Sequence, residues 1–264
     1  MSAESDRGLR VALGEYDIGW HDPGQSMDRA ADVVAAGKRE GAALVVLPEM
    51  CTSGFTMDTA GFAEPLDGTS AGRLSRLASE HNVWIIAGMP TRREAGERAR
   101  NSALVFDPSG ALVARYDKKK LFGYASETQF YEPGDSAVIV DIEGVKVAPF
   151  ICYDLRFPEL FRGVARKVDL IAVIASWPAA RRAHWDALLR ARAIENQCYV
   201  VGVNRTGTGG GLAYDGGSAA FDPWGERVDA DRDGAPSIRL ADVRPGEVER
   251  VRSAYPFIDD FVSA

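Results

Sequence analysis

The pattern of hydrophobic and polar positions alternates between strand and helix along nearly the whole chain. Short apolar runs rich in Val, Ile and Leu predict strands, whereas apolar positions three or four residues apart predict amphipathic helices. The predicted strands are 9–16, 43–48, 83–89, 137–142, 145–151, 169–175, 198–203 and 237–242. The predicted helices are 26–40, 70–81, 157–167, 182–197 and 245–254. Ser26 is the expected N-cap of the first helix, and this alternation of elements predicts an α/β protein.

Turn residues add hairpins to this pattern. The segment DPSG at 107–110 has Pro and Gly where a type I turn requires them, and DPWG at 222–225 repeats the arrangement, which predicts equivalent hairpins in two sheets. Glu143-Gly144 predicts a third turn between two strands, whereas the glycine-rich segment 206–211 is predicted to be a flexible loop. Some of the predicted strands are connected by helices and others by hairpins. Both parallel and antiparallel pairs are therefore expected, which predicts mixed sheets.

Length and composition favour one globular domain over residues 1–264. The chain contains no Pro/Gly/Ser-rich linker, and 46% hydrophobic residues are enough for a substantial core. A sandwich of two sheets with outer helices suits this length. The net charge of −7 argues against nucleic-acid binding, because affinity for phosphate backbones comes from clustered Lys and Arg.

The expected compartment is the cytoplasm. The N-terminal sequence MSAESDRGLR has no apolar core of a signal peptide, and no apolar run reaches the roughly 20 residues of a membrane span. Cys51, Cys152 and Cys198 are odd in number and lack CxxC spacing, so neither a disulfide framework nor a zinc site is predicted.

Histidine is scarce, and this limits the chemistry. His21 and His81 are expected at the surface, and His184 lies in a predicted helix. No HExxH motif or other pair of histidines with metal-ligand spacing occurs, so a metallohydrolase is not predicted. A Cys–His hydrolase of the papain type would need His184 as its base.

Three polar residues follow apolar strands: Glu49 after LVVLP, Lys118 after ALVARYD and Cys152 after KVAPFI. The ends of strands are where α/β proteins place their sites. Each residue alone also fits a structural role: a helix-capping Glu, a solvated basic run or an inert core Cys. Together they meet the needs of amide hydrolysis. A thiol with a usual pKa near ~8.5 needs a base or a positive field, and with histidine scarce Glu49 is the candidate base.

Lys118 and the backbone N–H that follows the nucleophile are the candidate donors to a tetrahedral oxyanion. Cys152 lies in ICYDLRFPEL, where a strand leads into a helix expected to begin around Pro158. Such a turn exposes a nucleophile at the end of a sheet.

The sequence resembles the nitrilase superfamily of carbon–nitrogen hydrolases. The matching blocks are LVVLPEM around Glu49, YDKKKLF around Lys118 and ICYDLRFPEL around Cys152, and the resemblance extends to ETQFYEPGD at 127–135 and RARAIENQCYVVGVNRTG at 190–207. It implies a four-layer α-β-β-α sandwich with two mixed β-sheets, no metal or organic cofactor, and a homodimer or larger assembly.

The resemblance also implies residue roles. Glu127 matches a second family Glu that orients the lysine and the substrate. Lys120 stands where many relatives have His, so Lys118 is the family-matched lysine, and Lys119 and Lys120 are expected to be solvated.

The segment ASWPAARRAHWDALLRARAIENQ most resembles the ω-amidase branch, which hydrolyses the side-chain amide of acids such as 2-oxoglutaramate. Tyr153, Trp177 and Arg181 are the predicted substrate-binding residues. Trp177 and Pro178 would form a pocket wall; the candidates for binding a substrate carboxylate are Arg156, Arg181 and Arg182. Trp177 also fits a plain core position, and Arg156 also fits an ion pair with Glu159 or Asp154.

The expected partners are a small-molecule amide and water, with no nucleic acid and no membrane. The alternatives within the family are an N-carbamoyl amino acid hydrolase and a deaminated-glutathione amidase. A catalytically silent binding protein on the same fold is the alternative of another class. A homodimer is also predicted from the aromatic residues Tyr255, Phe257 and Phe261, which would be exposed in a monomer.

Overall fold

Residues 8–92, 97–232 and 238–260, which the computed structural model describes, form two mixed β-sheets with α-helices on their outer faces. The strands are β1 Leu9–Gly14, β2 Leu44–Val46, β3 Trp84–Thr91, β4 Arg100–Phe106, β5 Leu112–Asp117, β6 Val140–Ile142, β7 Val145–Ile151, β8 Leu170–Ala175, β9 Tyr199–Asn204, β10 Thr206–Gly209, β11 Leu212–Asp215, β12 Ala219–Phe221, β13 Ala230–Arg232 and β14 Ile238–Val243. The α-helices are α1 Pro23–Arg39, α2 Thr59–Phe62, α3 Thr69–His81, α4 Glu127–Phe130, α5 Pro158–Arg162, α6 Arg182–Asn196 and α7 Pro245–Ala254. None of these helices combines the length and the apolar composition needed to cross a membrane.

The two sheets contain both parallel and antiparallel pairs. The larger sheet has the order β13-β14-β1-β2-β3-β4-β5, with β1, β2 and β3 parallel to one another. The smaller sheet has the order β12-β9-β8-β7-β6, with β7, β8 and β9 parallel. Strands β10 and β11 form a separate hairpin. The predicted α/β fold with mixed sheets is confirmed.

Alternate side chains of the central strands enter two different core layers. In β1, Leu9, Val11 and Leu13 pack between the sheets, whereas Ala12 packs against the outer helices. Burial on both faces explains why these strands are continuous apolar runs in the sequence. Helices α1 and α3 cover the larger sheet, and α5 and α6 cover the smaller one, which gives the α-β-β-α order. The shared core supports the proposal of a single domain.

The first helix begins earlier than predicted. Helix α1 starts at Pro23, and its cap is Asp22, whose Oδ1 accepts a hydrogen bond from the Gln25 N–H at 2.9 Å. The Ser26 cap is therefore wrong: the Ser26 hydroxyl donates back to the Asp22 carbonyl at 2.7 Å instead. Asp followed by Pro is the stronger start signal, because Pro fits the first helical position without losing a hydrogen bond.

Both predicted four-residue turns form, whereas one predicted loop does not. The turn at 107–110 joins β4 and β5, and the turn at 222–225, in which the Gly225 N–H donates to the Asp222 carbonyl at 2.8 Å, is flanked by a short antiparallel bridge between Phe221 and Arg227. The predicted loop at 206–211 is instead part of the β10–β11 hairpin. Gly210 and Gly211 both have positive φ, 57° and 78°, and this allows the tight two-residue turn that fits the twist of paired strands.

The predicted helix 157–167 is also shorter than expected. Helix α5 ends at Arg162, and a 3-10 turn at Ala165–Lys167 follows it. Gly163 at the C-terminal end of α5 accounts for the break, because glycine is a poor helix former.

Candidate active site

The predicted site residues converge from both sheets. Glu49 follows β2, Lys118 follows β5 and Cys152 follows β7, so two of them come from the larger sheet and one from the smaller. The Glu49 and Lys118 side chains are fully buried, whereas Cys152 is half-buried and lines a cavity. The stacking of the two sheets therefore brings together residues more than a hundred positions apart.

Lys118 lies between two carboxylates. Its Nζ is 2.9 Å from Oε1 of Glu49, and it is 3.1 and 3.0 Å from the two oxygens of Glu127. Burial alone would lower the pKa of Lys118, but the charges of Glu127 and Glu49 outweigh it and hold the pKa well above its ordinary value. Lys118 is therefore a permanent cation beside the cavity, 5.3 Å from the centre of the Phe55 ring.

Two further residues hold the carboxylates in place. The Asn101 side-chain amide donates to Oε1 of Glu49 at 2.7 Å and to Oε1 of Glu127 at 2.9 Å. The Ser176 N–H donates to the other Glu49 oxygen at 2.8 Å. Sequence analysis missed both residues, because an Asn within a strand and a Ser after one are common without any functional role. The available signal was weak, because Asn101 stands between two other polar residues, Arg100 and Ser102, at the start of β4.

Cys152 has an unusual backbone conformation. Its φ of +46° lies in the left-handed region, which costs energy for a residue other than glycine. The thiol follows β7 directly and opens a 3-10 turn at Cys152–Arg156 that leads to α5 at Pro158. The strand therefore leads into a helix through a sharp turn, as the sequence indicated.

The surroundings of the Cys152 thiol disfavour its ionised form. Burial raises its pKa well above the usual value, the nearby Glu49 charge raises it further, and the Lys118 charge lowers it. The resting side chain is therefore a neutral thiol beside a buried carboxylate. Cys51 and Cys198 are also free thiols, but both are fully buried, and burial raises the pKa of each to about 12.

The cavity at Cys152 has a volume of about 450 Å³ and a largely aromatic wall. Tyr153 and Trp177, two of the predicted substrate-binding residues, both line it. Trp177 is almost fully buried and is fixed by Asn204, whose side chain bonds both its N–H and its carbonyl, at 2.7 and 3.0 Å. Its ring is thus both a core residue and a wall of the cavity. The β10–β11 hairpin adds Gly209, Gly210, Leu212 and Tyr214.

The three candidate arginines differ in position. Arg156 and Arg181 line the cavity and have no carboxylate partner among the residues that the structure describes. Arg156 stacks on Trp177, and its Nη2 lies 3.1 Å from His184 Nδ1. The expectation for Arg182 is corrected: it does not line the cavity, because it forms ion pairs with Asp186 and Asp215 at 3.0 and 3.3 Å.

His184, the candidate base of the papain-type alternative, lies away from the cavity. His184 is exposed and does not line the cavity. His21 is exposed as expected but lies at the cavity, where it stacks on Trp20 and hydrogen-bonds Thr56 at 2.8 Å. This placement does not favour the papain-type alternative.

No group of three or more His, Cys, Asp or Glu residues within the described ranges is placed to hold a metal ion. The Glu49–Lys118–Glu127 cluster is held together by hydrogen bonds and ion pairs within the chain. The absence of a cofactor stays a prediction.

The fold agrees with the comparison to known families. The sequence model of the carbon-nitrogen hydrolases matches residues 10–253, and the chain belongs to this family. It is a hydrolase that acts on carbon–nitrogen bonds other than peptide bonds.

Three relatives illustrate the similarity. Omega-amidase YafV of Escherichia coli K12 is 36% identical over 258 residues, which cover 96% of both chains. The 2-oxoglutaramate amidase of Bacillus subtilis 168 is 33% identical over 95% of this chain and 96% of its own. The crystal structure of XC1258 from Xanthomonas campestris, a CN-hydrolase superfamily protein with an arsenic adduct in its active site, superposes with a TM-score of 0.88 at 33% identity over 98% of both chains.

Proposed function

We propose that this protein is a cysteine-dependent amidase that hydrolyses the ω-amide of a small carboxylate-bearing substrate, such as 2-oxoglutaramate, and releases ammonia. The observation that carries the proposal is the convergence of Cys152, Glu49 and Lys118 beside one cavity, which is also lined by two arginines that have no carboxylate partner within the described part of the chain. The names of the two amidase relatives support the choice of substrate.

The first half of the reaction forms a thioester. Glu49 takes the proton of the Cys152 thiol as the sulfur attacks the amide carbon. The oxyanion accepts hydrogen bonds from Lys118 and from the Tyr153 N–H. Tyr153 lies in the first turn of a 3-10 helix, where the backbone N–H groups have no partner inside the helix. Glu49 then passes the proton to the leaving nitrogen, and the C–N bond breaks to release ammonia.

The second half restores the thiol. Glu49 takes a proton from water, and the resulting hydroxide attacks the thioester carbon, again with Lys118 beside the oxyanion. The C–S bond breaks, the acid leaves and the proton returns to sulfur. Glu127 and Asn101 keep Lys118 and Glu49 in position through both halves, since each is hydrogen-bonded to the cluster in the resting state.

We assign the substrate carboxylate to Arg181, with Arg156 beside it. Both guanidinium groups line the cavity, and each stacks on an aromatic wall residue, Arg181 on Phe122 and Arg156 on Trp177. Arg can bind a carboxylate with two parallel hydrogen bonds, which fixes distance as well as charge. The distance from this clamp to Cys152 should therefore select substrates by chain length.

Arg181→Met is expected to lower kcat/KM for 2-oxoglutaramate by about 10- to 100-fold, the usual worth of hydrogen bonds to a charged group. It should leave turnover of an uncharged amide of the same size nearly unchanged. Arg182→Met is the matched control, because that neighbouring side chain lies outside the cavity. Ammonia release would be measured for 2-oxoglutaramate, its shorter homologue and the uncharged amide.

Equal rates for the charged and uncharged amides in the wild type would exclude the carboxylate clamp. A preference for N-carbamoyl amino acids or for deaminated glutathione would place the enzyme among those hydrolases instead, with the same three catalytic residues. Absence of ammonia release from every amide tested would favour a silent binding protein.

We also propose a homodimer, on the family resemblance and on an exposed aromatic patch. Trp224, Tyr255 and Phe257 are 44%, 47% and 60% exposed, and their rings contact one another at 5.0 and 5.8 Å. Phe261, which belongs to the same prediction, lies outside the described residues. A contiguous apolar surface of this kind is typical of an interface.

Light scattering at micromolar concentration is expected to give twice the chain mass of 28.5 kDa. Phe257→Lys should shift the protein towards the monomer, because a charge would be buried at the interface. Val113→Lys, at another exposed apolar position, on β5, should leave the mass unchanged. A wild-type monomer would contradict the proposal. The cytoplasmic location stays a prediction.

A further inference from the structure

Asp154 is a buried carboxylate that contacts the turn carrying the nucleophile. Its side chain is fully buried two residues after Cys152. Its Oδ2 accepts a hydrogen bond at 3.0 Å from the N–H of Ile151, the residue directly before Cys152. The carboxylate therefore closes the turn around Cys152, whose left-handed backbone needs such a restraint.

The same carboxylate reaches the segment of the other sheet that carries Lys118. Its Oδ2 accepts from the Tyr116 hydroxyl at 2.7 Å, and its Oδ1 accepts from the Lys120 N–H at 2.8 Å. Tyr116 precedes Lys118 by two residues and Lys120 follows it by two. One carboxylate thus bridges the two sheets directly beside the thiol and the ammonium.

We propose that Asp154 is a positioning residue that fixes the position of the Cys152 thiol relative to the Lys118 ammonium. Protonation of Asp154 then weakens the hydrogen bonds that fix this position. The proposal rests on the roles assigned to Cys152 and Lys118 above. Asp154 touches neither substrate nor the reacting atoms in this scheme. It acts through the backbone on both sides of the site.

A proton on Asp154 conflicts with the three hydrogen bonds that it accepts. An ionised carboxylate is an acceptor only, whereas the protonated acid must also donate from one oxygen. Both Asp154 oxygens already face N–H or O–H donors. A proton on Oδ1 would point at the Lys120 N–H, and a proton on Oδ2 would point at the Ile151 N–H unless the Tyr116 hydroxyl turned to accept it. The three groups therefore cannot all remain donors to Asp154 once it is protonated. The turn at Cys152 is then free to relax from its strained conformation.

The pKa of Asp154 is close enough to neutral pH for its protonation to affect activity. Burial raises its pKa to about 6, although the Tyr116 hydroxyl, the Lys118 charge and the two backbone N–H groups each lower it. Of the titratable groups near it, Tyr116 and Lys118 have the largest effects on its pKa. Asp154 is thus ionised above this pKa, and activity should fall as the pH drops through about 6.

The test compares pH profiles of the wild type and Tyr116→Phe. Two rates are measured. One is kcat/KM for amide hydrolysis, and the other is the rate at which iodoacetamide alkylates Cys152, a reaction that does not require hydrolysis of an amide bond. Loss of the Tyr116 hydroxyl removes a bond that favours ionised Asp154. The acid limb should therefore move to higher pH by about one unit, the pKa equivalent of an ordinary hydrogen bond. Tyr16→Phe, which removes a buried hydroxyl bonded to the Cys51 carbonyl, should leave the limb in place.

Asp154→Asn provides a second measurement. It should lower kcat by roughly 10- to 100-fold with little change in KM, as expected when reacting groups are misplaced by about an ångström. The acid limb near pH 6 should also disappear. An acid limb that does not move in Tyr116→Phe would overturn the proposal even if Asp154→Asn failed to fold. Shifted alkylation profiles without amide turnover would instead retain the positioning role and reject the amidase.

Discussion

Replacement of Cys152 by alanine is expected to abolish amide hydrolysis. The rate should fall by roughly 10⁴-fold or more, as is usual when a catalytic nucleophile is removed. No other thiol can substitute for it. Cys51 and Cys198 are fully buried and do not line the cavity, whereas Cys152 lines it beside Glu49 and Lys118. Ammonia release from 2-oxoglutaramate under saturating conditions measures the effect.

Cys198→Ala is the matched control and should retain activity, because its thiol lies in the core away from the cavity. Peptide mapping after limited alkylation by iodoacetamide should find Cys152 modified first, with activity lost in proportion. Rapid acid quenching during turnover should trap an acyl group on the Cys152 peptide. Full activity in Cys152→Ala would reject the thioester mechanism.

Replacement of Glu49 by glutamine is expected to lower kcat by about 10²- to 10⁴-fold, the usual contribution of a general base. Glutamine keeps the shape of the side chain but cannot take the proton of Cys152. The substitution should leave the fold intact, because Lys118 keeps its second carboxylate, Glu127, at 3.0 Å. Steady-state kinetics should show that KM changes much less than kcat, and thermal unfolding should confirm that the variant is folded.

Two glutamine controls accompany this variant. Glu159→Gln makes the same change at an exposed carboxylate paired with Lys120 and should have little effect on kcat. His184→Gln tests the papain-type alternative and should also keep kcat near the wild-type value, since His184 does not line the cavity. A large loss in His184→Gln together with near-normal Glu49→Gln would reverse the assignment of the base.

Part of the fold and of the candidate site followed from local sequence. The strands β7, β8 and β9 could be predicted because strands buried on both faces are continuous apolar runs. Glu49 and Cys152 were recognisable because each follows such a run, and Lys118 was recognisable because it lies, like them, in a family-like block. The wrong predictions concern the start of the first helix, at Ser26, and the glycine-rich hairpin 206–215. In such segments alternative local conformations have similar free energies, so the local sequence does not decide between them.

The chain by itself therefore determined the order of elements, the mixed sheets and the residues that supply a thiol, a carboxylate and a cation. Only the tertiary structure decided which other groups meet them. Asn101 reaches Glu49 from 52 positions away, and Asp154 joins Tyr116 across the two sheets. The tertiary structure also determined that Arg181 lines the cavity while Arg182 does not. The physical reason is that a hydrophobic pattern specifies which side chains are buried, whereas their partners depend on how the two sheets stack.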